Sequence, residues 1–223
     1  MKKIEIACFN LDSALIAQKA EADRVELCAD ISAGGTTPTI EIIKQAREHL
    51  TIDLYVMIRP RGGDFIYSMH ELMYMYLDIL EFKDIGVDGF VFGILTNDGK
   101  IDIEVNEALV ELAKPFPCTF HRAFDEVLDY EQALEDVISC GFSTILTSGT
   151  FPNVIGGKEV LKQLVIQANN RIEIMPGGGL RSINISALNE MVNANWYHSS
   201  AITDGSEIAS LEEIVQLKKK LQS

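Results

Sequence analysis

The sequence has few basic residues, few cysteines and no long apolar run, and each shortage excludes a class of function. Its 19 lysines and arginines stand against 33 aspartates and glutamates, which gives a net charge of −14 over 223 residues. Such a chain repels phosphodiester backbones and anionic lipid surfaces, so neither nucleic acid nor a membrane is an expected partner. No stretch approaches the roughly 18 uninterrupted apolar residues that a transmembrane helix needs.

The four cysteines are widely spaced, and none forms a C-x-x-C motif. Each lies within or beside an apolar segment, which favours reduced thiols in a cytoplasmic protein over a disulfide framework. The N-terminal apolar run is interrupted by Glu5, Asn10 and Asp12, too early for the core of a signal peptide. The sequence also lacks the H-E-x-x-H, G-x-S-x-G and Rossmann glycine motifs, so no organic cofactor is indicated.

The sequence does contain a regular alternation of strand-like and helix-like segments. The strand-like runs cover residues 3–9, 24–28, 52–58, 89–94, 118–121, 144–147, 171–175 and 195–199. Amphipathic segments follow them at 13–22, 39–50, 69–83, 103–114, 130–139, 157–167, 183–193 and 206–221. Eight such units predict one α/β domain over residues 1–223, a (β/α)₈ TIM barrel, with a doubly wound open sheet as the alternative. The short helix-to-strand turns and the long, glycine-rich strand-to-helix loops favour the barrel and place a site at its carboxyl rim.

Charged residues alternate with branched apolar residues along several of the predicted strands. If Ile4, Val25 and Ile58 face the helices, the barrel interior receives the charged residues Glu5, Glu26, Arg59, His121 and Glu173. Buried charges need partners, and Glu26 is predicted to pair with Arg59 on the neighbouring strand. The helix at 69–83 carries an apolar stripe that predicts core packing rather than copper ligation by methionine, formed by Met69, Leu72, Met73, Tyr76, Leu77 and Leu80.

The carboxyl ends of the third and fifth strands carry polar side chains that a buried sheet does not require. Guanidiniums bind carboxylate and phosphate, and two of them flank Pro60 after the third strand. The candidate catalytic residues are His121, Arg59, Glu26 and Asp125, with His121 as a general acid or base near neutral pH. The alternative interpretation is a buried histidine beside a surface ion pair.

The loops after the sixth, seventh and eighth strands add hydroxyl groups and exposed backbone amides. TIM barrels often bind phosphate at the last two of these loops, where a glycine-rich turn leads into a helix. The predicted anion-binding residues are Arg61, Arg122, Thr147, Ser148, Gly177, Gly178, Gly179 and His198.

Several sequence blocks point beyond the fold to a family. They are ELC at 26–28, GGTTP at 34–38, MIRPRGGDFIYS at 57–68, DGFVFG at 88–93, TFHRAFD at 119–125, ILTSG at 145–149 and GGG at 177–179. Together these blocks, which run from the second strand to the seventh, resemble the CutC copper-homeostasis family. The resemblance implies a cytoplasmic TIM barrel that takes part in copper homeostasis. Pro176 before the glycine run and the absence of an arginine at 200–202 depart from the family pattern.

The resemblance also implies that Cys8 and Cys28 are Cu(I) ligands, although the strand alternation places Cys28 inward and Cys8 outward. Two hypotheses therefore stand beside each other. The first is a copper-homeostasis protein that binds Cu(I) through thiolates. The second is a TIM-barrel enzyme of unknown reaction that acts on an anionic or phosphorylated small molecule. The expected partner is a copper ion or a small anion, and association into a homo-oligomer is left open.

Overall fold

Strands and helices alternate eight times in the computed structural model, which describes residues 2–222. The strands are β1 (Lys3–Cys8), β2 (Arg24–Leu27), β3 (Asp53–Met57), β4 (Gly89–Phe92), β5 (Cys118–Phe120), β6 (Thr144–Thr147), β7 (Glu173–Pro176) and β8 (Trp196–Ser199). The helices are α1 (Leu11–Lys19), α2 (Ile40–His49), α3 (Met69–Ile85), α4 (Ile103–Ala113), α5 (Tyr130–Ser139), α6 (Lys158–Ala168), α7 (Ile185–Val192) and α8 (Leu211–Gln222). Short 3₁₀ helices follow β2 and β5, at Ile31–Ala33 and Arg122–Glu126. All sixteen predicted elements are confirmed, with shifts at their ends.

The strands pair in chain order around the barrel. The sheet runs β7-β6-β5-β4-β3-β2-β1-β8, and β7 also packs against β8, which closes it. This consecutive parallel order is that of a TIM barrel and excludes a doubly wound sheet, whose order reverses at a switch point. In this register Glu5 of β1 lies opposite Arg24 of β2 on one side and His198 of β8 on the other.

The two faces of the sheet have different chemistry. Ile4, Val25 and Ile58 belong to the large apolar cluster that joins the sheet to the helices. A separate small cluster fills part of the interior with Cys28, Tyr55, Met57 and Val91. Each of the predicted inward residues Glu5, Glu26, Arg59 and His121 is at most 5% exposed. The predicted assignment of faces is therefore confirmed for these four residues, whereas Glu173, the fifth predicted inward residue, is only half-buried.

Helix α3 differs from the prediction in the face that it buries. It begins with a capping box between Ser68 and Glu71, and it packs on the barrel through Met75, Ile79 and Phe82. The predicted core stripe is instead largely open to solvent, with Met69 81%, Met73 60%, Tyr76 47%, Leu77 52% and Leu80 40% exposed. The prediction was wrong because this helix is apolar on most of its circumference, so that periodicity alone does not select the buried side. No helix within residues 2–222 has the length and apolarity to cross a membrane.

Candidate active site

A cavity of about 190 Å³ opens at the carboxyl ends of the strands. Its wall combines carboxylate, imidazole, guanidinium and thiol groups with a few apolar side chains. The residues that line it are Ala7, Phe9, Glu26, Cys28, Gly34, Met57, Arg59, Phe65, His121, Arg122, Leu146, Gly178, Gly179, Arg181, His198, Ser199 and Ser200. The cavity is smaller than the roughly 300–1,000 Å³ of sites for drug-sized ligands, so it suits a small compound.

The floor of the cavity is a buried charge network on the first, second and eighth strands. Glu5 accepts a hydrogen bond from Arg24 Nε at 2.5 Å, and its other oxygen lies 2.7 Å from His198 Nδ1. Burial alone would raise the pKa of Glu5, but Arg24 and His198 outweigh it and lower that pKa. Burial likewise opposes the charged form of His198, yet Glu26 and Glu5 raise its pKa. His198 therefore belongs to this network as well as to the cavity wall.

Glu26 lines the cavity, and its partners differ from the predicted one. One carboxylate oxygen, Oε2, lies 3.8 Å from His198 Nε2 and 3.5 Å from Cys28 Sγ. The other, Oε1, is buried and has no hydrogen-bond partner within residues 2–222. Burial raises the pKa of Glu26 to about 7, and Glu5 adds to this effect while His198 opposes it.

The prediction that Glu26 pairs with Arg59 is wrong. Arg59 follows β3 at the rim, and its guanidinium donates to the carbonyls of Ala33 at 2.7 Å and of Gly35 and Gly63 at 2.9 Å each. These bonds turn the side chain toward the loops after β2 and β3 and away from Glu26. The Nε donor is buried without a partner in the described part of the chain.

His121, at the end of β5, is a neutral hydrogen-bond donor. Its Nδ1 accepts from the Ala123 backbone N–H at 3.3 Å, which places the ring proton on Nε2. Nε2 is buried, and no group within residues 2–222 pairs with it. Burial and the nearby Arg59 lower the pKa of His121 to about 3. The predicted role as an acid or base near neutral pH does not agree with this environment.

Phe65 covers the two unpaired donors from the rim. Its ring meets the His121 ring edge-on, with centroids 4.8 Å apart, and the Arg59 guanidinium carbon lies 4.7 Å from its centre. The aromatic ring therefore limits the access of water to this side of the cavity.

Asp125 holds the loop after β6 and does not line the cavity. Its carboxylate accepts from Thr147 Oγ1 at 2.5 Å, from the Ser148 backbone N–H at 2.9 Å and from Arg122 Nε at 2.8 Å. Thr147 and Ser148 are thus engaged by Asp125, and neither lies on the cavity wall. Arg122 stays on the wall and also donates to Ser148 Oγ at 3.0 Å. Asp125 therefore orients Arg122.

The turn after β7 contributes backbone amides. The Gly177 N–H is used, since it donates to the Thr147 carbonyl at 2.9 Å. Gly178 and Gly179 line the cavity, and their N–H groups donate to no group that the structure describes. Gly178 has φ +104°, and a Cβ there would lie 3.2 Å from the Arg122 guanidinium carbon. Glycine is required for this close approach of the turn to Arg122.

One predicted arginine lies away from the cavity, and an arginine that was not predicted lines it. Arg61 lies outside the cavity wall and is neutralised by Glu71 at 2.5 Å and Asp64 at 2.9 Å. Arg181, which was not predicted, lines the cavity and donates to Ser199 Oγ at 3.2 Å and the Ile202 carbonyl at 2.9 Å. It supplies a guanidinium to the eighth loop, which has no arginine at 200–202. Its position two residues after the glycine run was the sequence feature that could have identified it.

The chain is similar to known proteins over most of its length. A model of the CutC family matches residues 2–203. The chain belongs to the CutC family. The human copper homeostasis protein cutC homolog is 43% identical over 198 residues, which are 89% of this chain and 72% of the human protein. A CutC family protein from Parabacteroides distasonis is 45% identical over 203 residues, 90% of this chain and 84% of the relative.

Solved structures agree with this assignment. The CutC copper homeostasis protein from Streptococcus agalactiae has a TM-score of 0.86 at 38% identity, over 91% of this chain and all of that one. Phosphoribosylanthranilate isomerase from Thermotoga maritima has a TM-score of 0.67 over 100% of this chain and 99% of its own. Its identity is 14%, so this likeness shows the barrel fold alone. The resemblance to CutC proteins and the TIM-barrel fold are confirmed.

The two cysteines that the CutC resemblance implies as copper ligands do not form one site in this structure. Cys8 packs in the outer apolar layer with Ile4 and Ile6, whereas Cys28 belongs to the inner cluster and lines the cavity. Burial and the neighbouring carboxylate of Glu26 raise the pKa of both thiols well above its usual value. Because the two thiols lie on opposite faces of the sheet, a two-cysteine Cu(I) site does not fit these positions.

Proposed function

We propose that the rim cavity binds a small anionic compound and acts on it as an enzyme active site. The supporting observation is that three residues at the carboxyl ends of β2, β3 and β5 line one cavity, and each carries a buried polar atom that has no partner within residues 2–222, namely Glu26 Oε1, Arg59 Nε and His121 Nε2. An unsatisfied buried polar group costs about 1–3 kcal/mol. A protein that keeps three of them around one cavity is arranged for a ligand that completes their hydrogen bonds.

The anionic part of the ligand would lie against the turn after β7. Two unpaired amides, from Gly178 and Gly179, and the guanidinium of Arg122 supply donors and positive charge at this place. The loops after the seventh and eighth strands are also where TIM barrels commonly bind phosphate. Arg122 shares its charge with Asp125, but Arg181 on the same wall has no carboxylate partner within residues 2–222, so this corner can attract anions in a chain of net charge −14.

Thermal unfolding with inorganic phosphate or sulfate tests the anion site. The parent protein should be stabilised by phosphate, and Arg122→Met should weaken the apparent affinity about tenfold or more, since a charge-assisted bond contributes about 1.5–3 kcal/mol. Arg61→Met is the matched control, because Arg61 lies on the same rim outside the cavity. A parent protein that phosphate does not stabilise, or equal losses in the two variants, would contradict the proposal.

Copper handling in the cytoplasm is the second candidate function, and the names of the CutC relatives support it. The observation in its favour is that Cys28, Met57 and His198 line one cavity and supply the soft or imidazole donors that suit Cu(I). We propose that copper, as cargo, would be held through Cys28 and not through Cys8. The four unpaired cysteines agree with a reducing compartment.

Competition with a Cu(I) chelator separates the two cysteines. Cys28→Ser should abolish copper retention, while Cys8→Ser should leave it within about twofold, because Cys8 faces the outer layer. Equal losses of copper retention in both variants would indicate a two-cysteine site. If the chelator removes all copper from the parent protein, direct copper binding would be excluded.

A further inference from the structure

The cavity wall carries a carboxylate that can accept a proton and two N–H groups that can donate hydrogen bonds. On one side Glu26 presents the unpaired oxygen Oε1, with His198 Nε2 3.8 Å from its second oxygen. On the other side Arg59 Nε and His121 Nε2 each present an N–H without a protein partner. An acceptor facing paired donors is the arrangement needed to remove a proton from carbon while negative charge develops on an adjacent oxygen.

We propose that this cavity catalyses proton transfer at a carbon next to a carbonyl group, in a small compound that carries a phosphate or carboxylate. The inference rests on the anion site of the proposed function and adds the reaction and the substrate class. The anion would be bound by the Gly178 and Gly179 amides and Arg122, which leaves the carbonyl end among the buried groups. A cavity of about 190 Å³ limits the substrate to a compound of a few carbon atoms beyond its anionic group.

The electrons balance without an oxidant or a cofactor. Glu26 Oε1 takes the proton as the C–H bond breaks, and the bonding pair forms a C=C bond. The carbonyl π pair moves onto oxygen, where Arg59 Nε–H and His121 Nε2–H stabilise the enolate. Once the proton on Glu26 has exchanged with solvent, its return to the same carbon gives isotope exchange. In a hydroxycarbonyl compound the proton of the neighbouring hydroxyl group moves to the enolate oxygen through solvent. Return of the carbon-bound proton to the former carbonyl carbon then gives the isomer, with the carbonyl re-formed at the carbon that lost its proton.

His121 fits the donor role because it holds its proton on a defined nitrogen. The bond from the Ala123 N–H to Nδ1 fixes the tautomer. A neutral imidazole N–H opposite a glutamate base is an established pairing for carbonyl polarisation in barrel enzymes. Phe65 packs over both donors, so a bound carbonyl oxygen would replace water at them.

His198 fits the role of a positioning and exchange group. Its ring is held by Glu5 at 2.7 Å from Nδ1, with Nε2 directed toward Glu26. With its Nδ1–H donated to Glu5, the neutral ring can accept at Nε2 the proton that Glu26 has taken and pass it to solvent in the cavity. This path predicts that hydrogen taken from substrate carbon exchanges with solvent.

Binding of an enediolate mimic tests the inference together with isotope exchange. Phosphoglycolohydroxamate, which is planar and carries both oxygens, should bind at least about 100-fold more tightly than inorganic phosphate. In D₂O, dihydroxyacetone phosphate should incorporate deuterium beside its carbonyl, followed by proton NMR, with pyruvate as the carboxylate-bearing probe. Whichever probe exchanges identifies the anionic group that the site takes.

Two variants and one control complete the experiment. Glu26→Gln should lower exchange at least about 100-fold yet keep the stabilisation by phosphate, and His121→Leu should lower exchange by about the same factor. Arg61→Met should match the parent protein in both measurements. Phosphate binding without tighter binding of the hydroxamate and without exchange in either probe would overturn this inference alone. Loss of phosphate binding in the parent protein would instead overturn the proposed anion site.

Discussion

Glu5 and His198 are joined side chain to side chain across the first and last strands, with 2.7 Å between Oε1 and Nδ1. The same carboxylate accepts from Arg24 at 2.5 Å, and both Glu5 and Arg24 are almost fully buried. The seam where the chain closes on itself is therefore held by charge as well as by backbone pairing. This network also fixes the imidazole that faces Glu26, so the closure of the barrel and the geometry of the cavity depend on one residue.

Replacement of Glu5 should destabilise the protein strongly. Glu5→Gln leaves the buried guanidinium of Arg24 without its counter-charge, and loss of one partner of a buried pair costs about 3–5 kcal/mol. Urea denaturation measures the change. Glu135→Gln, which removes the exposed partner of Arg171, is the control and should change stability little. Equal effects of the two substitutions would show that the seam does not depend on the Glu5 charge.

Acid should destabilise the protein partly through His121. The folded pKa is lowered to about 3 from 6.5, so between these values the unfolded chain binds a proton at His121 that the folded chain excludes. Stability from this group is present above pH 6.5 and is lost as pH falls toward 3, by on the order of 3 kcal/mol at pH 4. His121→Gln should flatten the fall in unfolding free energy between pH 7 and pH 4.

The control for this prediction is His49→Gln, at the exposed end of α2. It should leave the acid limb of the stability profile as it is in the parent protein. An unchanged limb in His121→Gln would mean that the ring is protonated in the folded protein beside Arg59.

Arg59 and Glu26 should contribute to stability independently. Arg59→Met removes donors from three loop carbonyls and should cost at least about 2 kcal/mol. Because no ion pair joins the two side chains, a double-mutant cycle with Glu26→Gln should give a coupling energy below about 0.5 kcal/mol. Denaturant unfolding of the two single variants and the double variant supplies the cycle. A coupling above about 1 kcal/mol would restore the ion pair expected from the sequence.

The open face of α3 should be covered by a second copy of the chain. Met69, Met73 and Leu77 repeat every four residues along one exposed stripe, and such a patch is unusual on a monomer. The net negative charge of the chain disfavours binding of this stripe to an anionic membrane. Light scattering with size-exclusion chromatography should show a dimer that Met73→Lys with Leu77→Lys converts to a monomer. An exposed control, Ile166→Lys on α6, should remain dimeric. A monomeric parent protein would exclude this contact.

The sequence determined the fold and the face of each strand. Eight alternations of strand and helix with long rim loops permit few parallel topologies, and strict period-two alternation fixes which side chains enter a barrel. Ile4, Val25 and Ile58 outside, with Glu26 and His121 inside, follow from that local rule alone. The sequence also placed the loops after β7 and β8 at the rim where the cavity opens, because the carboxyl ends of all parallel strands meet there.

Only the tertiary structure decided which inward charges meet and which remain unpaired. The order of the strands shows which strands are neighbours. It does not show how far along the barrel axis a side chain lies or which way a long arginine side chain turns. Arg24, which the sequence did not mark, thus takes the place beside Glu5, while Arg59 turns to loop carbonyls and Arg61 to Glu71. For α3 the limit was different, because a helix that is apolar on most of its circumference carries little signal for its buried side. Pairing and exposure depend on contacts between distant segments, and these exist only once the barrel has closed.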